Sequence, residues 1–104
     1  MTFVEFKSSL SKPEPPAGLS SALLALWWDT KNDWDKAHKI VMDESGADCA
    51  WVHAYLHRRE GDLENARYWY GQAGRPAASR ALPEEWSAIA GEILDGSRLN
   101  HGGR

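Results

Sequence analysis

The chain has 104 residues, with 12 Lys plus Arg against 15 Asp plus Glu, a net charge of −3 when its four histidines are neutral. This is the length of one domain, and an acidic balance without a block of basic residues excludes the electrostatic footprint of a general nucleic-acid binder. No apolar run approaches the roughly 20 residues that cross a bilayer, so neither nucleic acid nor membrane is an expected partner.

In chain order, the opening MTFVEFKSSLSK lacks the continuous apolar stretch of a secretory signal, which makes the cytoplasm the expected location. Residues 1–18 read as an extended arm, because Pro13, Pro15 and Pro16 favour a polyproline-like path. Phe3, Val4 and Phe6 give the tip of this arm an apolar hook, against which a frayed terminus is the plainer reading. Ser20 then N-caps a helix running to about Thr30, with Leu19 placed to staple against Leu24 and a stripe of Leu23, Leu24, Trp27 and Trp28. Asp33 caps a second helix, expected to end near Glu44, with Trp34, Ala37, His38 and Val41 on one face. A third runs from Asp48 to about Glu60, apolar around much of its circumference, the pattern of a central helix. Gly61 supplies its left-handed stop, and Asp62 caps a fourth helix whose buried stripe is Leu63, Ala66, Tyr70 and Ala73, up to Gly74. After the connection RPAASRAL, Pro83 fits the first turn of a fifth helix, and Glu84 and Glu85 suit its dipole. Trp86, Ile89, Ala90, Ile93 and Leu94 form its apolar face, Gly96 ends it, and residues 97–104 are expected to be a flexible tail.

Val, Ile and Leu together number 16, against fourteen Ala and six Trp, so large rings must pack against small side chains. A chain of this length buries roughly two thirds of its unfolded surface, enough for one core. Trp27, Trp34, Trp51, Tyr70 and Trp86 are its expected members, each indole N–H needing a partner. Within the chain NDWDKAHKIV lies over GDLENARYWY at an offset of 29 residues, Ala37 onto Ala66 and Val41 onto Tyr70. In the second copy, Gly61, Asp62, Leu63, Ala66, Tyr70 and Ala73 resemble the second half of a tetratricopeptide (TPR) repeat, where a small Ala lets two helices approach closely. The block WVHAYLHRREGDLENARYWYGQAG, preceded by WDKAH, is similar to a family of small uncharacterised proteins built on such a hairpin. The resemblance spans about residues 19 to 95. It implies an all-α fold of about five helices, two TPR-like antiparallel hairpins with a C-terminal capping helix over 19–96, and it brings no activity with it.

His53, His57 and Glu60 stand at i, i+4 and i+7, which puts two imidazoles and a carboxylate on one side of a helix. Two histidines four apart are how zinc proteases present ligands, but Ala54 stands where HExxH carries its general base. If the second and third helices pack antiparallel, His38 joins the pair in a three-His or three-His-plus-Glu site suited to a divalent metal. The plainer reading is structural: helical histidines bond neighbouring carboxylates or carbonyls, and Glu60 or a tyrosine would satisfy His38.

Arg58, Arg59 and Arg67, with Asn65 and Tyr68, offer a second polar surface in which arginine forks recognise carboxylate or phosphate, weighed against an ordinary solvated face. Tyr68 and Trp69 cannot both point inward alongside Tyr70, so one aromatic belongs at the edge of the core, as an interaction groove requires. Cys49, the single cysteine, lies one turn before His53; without an oxyanion loop or a third orienting residue it reads as a buried, inert thiol. Gly-rich phosphate loops, paired-cysteine zinc motifs and a GxSxG turn are missing from the sequence.

These readings favour a module that binds a protein or peptide, or a second copy of itself, in a groove lined by His57, Arg58, Asn65, Tyr68 and Trp69. The alternative is a small-molecule or metal-binding pocket, or an acid–base enzyme, built on His38, His53, His57 and Glu60, and it requires the three imidazoles to meet. A homodimer through the Trp27 and Trp28 stripe is a third possibility unless the arm or the last helix covers that stripe. No residue is assigned as catalytic or as a metal ligand, and no cofactor is assigned.

Overall fold

At the start of the chain the Thr2 hydroxyl accepts from the Glu5 N–H at 3.1 Å, while the Glu5 carboxylate accepts from the Thr2 N–H at 2.9 Å. This reciprocal capping box starts a helix, α1 (Phe3–Ser9), where an extended arm was expected. The computed structural model describes the backbone of residues 1–103 and the side chains of residues 1–96. Among the described residues the fold is all-α, with α2 (Ser21–Thr30), α3 (Trp34–Met42), α4 (Ala47–Glu60), α5 (Leu63–Ala73) and α6 (Leu82–Gly103) following α1. The sixth helix beyond the expected five is α1; the prolines fall in the irregular segment between α1 and α2. No helix among the described residues is long and apolar enough to cross a membrane.

Local chemistry sets most boundaries. Ser20, Asp33 and Asp62 each accept a backbone N–H from the third residue of the helix they precede. Gly61 and Gly74 end α4 and α5 in the left-handed region, at φ of 92° and 70°. Two expectations fail. The helix α6 continues through Gly96 to Gly103, since a glycine without a following proline costs a helix only about 1 kcal/mol and removes no N–H donor. The flexible tail expected over 97–104 lies outside the residues whose side chains are described. Leu63 is 55 % exposed, and the buried stripe of α5 is Ala66, Tyr70 and Ala73. At the turn end of the α4–α5 pair the exposed Arg59 and Glu60 leave Leu63 uncovered.

The helix α4 is central: every side chain from Cys49 to His57 is buried, and it packs on α2, α3, α5 and α6. Of the apolar hook, Phe3 and Phe6 dock on the body, while Val4 faces outward and is exposed. Phe6 is fully buried and stacks on Trp86 at 5.7 Å between centroids, with Phe3 edge-on to the same indole at 6.3 Å. Trp27 is fully buried as well, its Nε1–H donating to Ser9 Oγ at 3.0 Å. The α2 stripe is therefore partly covered by the chain's own N-terminus, and Lys36 lies over Trp28 at 3.9 Å. Two carboxylates are buried with arginine partners: Asp29 with Arg59 at 3.1 Å, and Glu85 with Arg58 at 2.7 Å. Of the expected core aromatics, Trp27, Trp51, Tyr70 and Trp86 are buried, while Trp34 is half-buried and belongs to the site described next.

Candidate metal centre

Packing of α3 on α4 brings His38 over the two histidines of α4. Its Nε2 lies 3.0 Å from Nε2 of His53, and the three ring centroids are 4.7, 5.1 and 4.9 Å apart for the pairs His38–His53, His38–His57 and His53–His57. One ring nitrogen from each of the three lies within 4.8 Å of the others. On the solvent side Glu60 Oε2 is 2.8 Å from His57 Nδ1. His57, Glu60 and Asp62 form a second, overlapping set within the same 4.8 Å limit.

Aromatic rings fix these imidazoles in place. Trp34 stacks on His38 at 4.7 Å with planes 10° apart, and its own Nε1–H is anchored on the Leu56 carbonyl at 2.8 Å. Trp69 stacks on His53 at 4.0 Å and 15°, and Tyr68 meets Trp69 edge-on at 5.1 Å. The helical register explains the arrangement: Trp34 and His38 are one turn apart on α3, as His53 and His57 are on α4.

Burial, followed by the neighbouring His38 and His57, pushes His53 down to about 4. Burial and His57 also lower His38, with Glu60 and Asp35 opposing. Neutral rings result, which is the form that ligates metals. Between two neutral rings meeting Nε2 to Nε2, one nitrogen donates and the other accepts. His53 Nδ1 is buried and has no hydrogen-bond partner, a cost of roughly 1–3 kcal/mol that this site carries.

Three imidazoles from two helices suit zinc, copper, nickel or ferrous iron. The bond from His57 Nδ1 to Glu60 leaves Nε2 as the nitrogen free to ligate, in the manner of a carboxylate–histidine–metal relay. A tetrahedral ion with bonds of about 2.0–2.1 Å needs nitrogens about 3.3 Å apart, so the His38 and His53 nitrogens, at 3.0 Å, must part by only a few tenths of an ångström to hold one.

The structure thus unites His38, His53, His57 and Glu60, with Trp69 and then Tyr68 at the border. One other expected residue lies elsewhere. Arg58 turns to the opposite flank of α4, where it bonds Glu85 and the Arg80 carbonyl. Asn65 stays beside the centre, one turn before Trp69 on α5, and donates to the Asp62 carboxylate at 3.2 Å from its backbone and 3.1 Å from its side chain. Arg58 therefore leaves the groove expected from His57, Arg58, Asn65, Tyr68 and Trp69, because a buried carboxylate on α6 claims it. Arg59 likewise turns to Asp29 and leaves the polar surface expected with Asn65 and Tyr68. Cys49 is buried, and burial raises its thiol above the ordinary range, as an inert thiol requires. Sequence reasoning missed two participants. Trp34 was placed in the core, although its spacing of four from His38 signals a ring contact. Asp62 was read as a cap alone, although it follows Glu60 by two. No protein family, curated protein or solved structure matches the chain.

Proposed function

We propose that this chain is a small helical metal-binding protein in which His38, His53 and His57 ligate one divalent transition metal of the zinc class. The observation that carries this reading is the meeting of one ring nitrogen from each of three histidines, drawn from two helices, within 4.8 Å. Glu60 orients His57 through Nδ1, and Trp34 and Trp69 hold the other two rings in plane. Three protein ligands leave a tetrahedral ion one further position, for water or a substrate atom. The scaffold in this reading is a pair of TPR-like hairpins, α2 with α3 and α4 with α5, capped by α6; the close packing of these consecutive helices and the Ala37-to-Ala66 repeat support it.

Binding of a protein or peptide is the second reading, supported by Tyr68, which is 58 % exposed beside Trp69. Titration of the chelator-stripped chain with Co²⁺ separates the two. One equivalent bound with the visible absorption of a low-coordinate cobalt site, lost in His53→Ala and His38→Ala while helix content persists, is the expected result. Absence of stoichiometric binding at micromolar concentration, or equal binding by the variants, overturns the metal reading.

A further inference from the structure

Tyr55 and Arg59 each sit two positions from a histidine of α4, and two positions along a helix is the opposite face. On that face a cavity of about 280 Å³ opens between α1, α2, α4 and the start of α6. Its apolar wall is made by Leu10, Leu82 and Trp86, and Tyr55 and Ser87 also line it. Two cations, Lys7 and Arg59, also line it, and no Asp or Glu does, although acidic residues outnumber basic ones in the chain.

The charge at the rim can be counted. Arg59 gives one donor to Asp29 Oδ2 at 3.1 Å and reaches Asn32 Oδ1 at 3.4 Å. A guanidinium has five N–H donors, so others remain, and its side chain is 38 % exposed. Asp29 is buried behind it and offsets its charge. Lys7 lies 5.9 Å from the Phe3 ring centre and makes no ion pair among the described residues. Lys31 is not among the lining residues, and two of its three donors go to the Leu10 and Lys12 carbonyls. Among the lining groups, two cations less the one carboxylate buried behind Arg59 leave one positive charge over an apolar wall.

We infer that this cavity binds a small amphipathic carboxylate, with its carboxylate between Lys7 and Arg59 and its apolar body against Leu10, Leu82 and Trp86. A single negative charge matches the rim, a flat carboxylate matches a guanidinium fork, and the modest volume limits the body to a ring or short chain. The site is independent of the histidine centre.

The test uses the full chain labelled with ¹⁵N, following the Trp86 indole N–H, which donates to the Leu26 carbonyl. The probes are 3-phenylpropionate, its neutral amide 3-phenylpropanamide, and inorganic phosphate. Saturable shifts with the acid are expected, with the amide about tenfold weaker or worse, the factor one charge-assisted hydrogen bond supplies. Lys7→Glu, at an exposed position, is expected to weaken the acid by a similar factor and to leave the amide unchanged, while Ser87→Phe fills the cavity and abolishes both. Equal affinity for acid and amide, or no shift at millimolar acid, overturns the proposal. Phosphate shifting Trp86 as effectively as the acid overturns the assignment to carboxylates.

Discussion

His38 and His53 face each other across the α3–α4 interface with their Nε2 atoms 3.0 Å apart, each ring backed by an indole. The pair accommodates one proton between the nitrogens and resists a second, because two charged rings at that distance repel in a site largely closed to water. The unfolded chain has no such constraint.

Stability should therefore fall with acid. His53 takes its proton near 6.5 when unfolded and only near 4 in the fold, so the folded state binds fewer protons in between. The sign follows: stability is full above pH 6.5, drops as pH falls through that window, and loses on the order of 3 kcal/mol by its lower end. His38 shifts in the same direction and steepens the loss. Urea unfolding at pH 7.5 and pH 4.5 measures it; His53→Gln should flatten the difference, and an unchanged slope in that variant would assign the effect to other groups.

Glu60 touches the centre only through His57 Nδ1, with a side chain 38 % exposed. Glu60→Gln should lower metal affinity by about 10–100-fold, since the ligand's orientation and basicity weaken, and should leave stability within about 0.5 kcal/mol. Competition with a colorimetric chelator reads the first effect, and a thermal melt of the metal-free chain reads the second. A loss of affinity accompanied by an equal loss of stability would reassign Glu60 to the fold.

At the other end of the molecule, Ser9 Oγ accepts from Trp27 Nε1 and donates to the Phe6 carbonyl at 2.6 Å. Ser9→Ala strands a fully buried indole N–H, at a cost of about 1–3 kcal/mol. Adding Trp27→Phe removes the orphaned donor, so the double variant should be less destabilised than the two single losses summed. Chemical denaturation of the four species measures the coupling; strict additivity would mean the bond contributes nothing.

What the sequence reveals divides along the range of the interactions. Ser20, Asp33, Asp62, Gly61 and Gly74 act within a turn of themselves, so capping chemistry alone locates the starts of α2, α3 and α5 and the ends of α4 and α5, while α4 begins after Gly46 without a side-chain cap. The capping box of α1 is equally local, but three prolines downstream drew the whole segment toward an extended reading. The i, i+4 spacing places His53 with His57, and antiparallel packing of the second and third helices was the condition for His38 to join them. The destinations of Arg58 and Arg59 were not legible, because they depend on Glu85 and Asp29, 27 and 30 residues away, being buried. Nothing local marks a carboxylate that will lose its water.

Glu85 offers the sharpest stability test. It is 2 % exposed and accepts from both Arg58, at 2.7 Å, and the Tyr70 hydroxyl. Burial and the adjacent carboxylate hold the Tyr70 phenol above its ordinary range, so it remains a donor throughout the pH range of the fold. Arg58→Met removes the charge that balances Glu85 and leaves the carboxylate buried with one neutral donor, a loss of about 3–5 kcal/mol. Tyr70→Phe keeps the ion pair and removes one hydrogen bond, a loss nearer 1–2 kcal/mol. Combining Arg58→Met with Glu85→Leu removes both charges, and the pair should recover much of the single loss because no ion remains without a partner. Guanidinium unfolding at neutral pH orders the variants. If the double variant proves worse than Arg58→Met alone, the network stabilises the fold through its geometry, and burial of an unpaired charge is not what makes the arginine necessary.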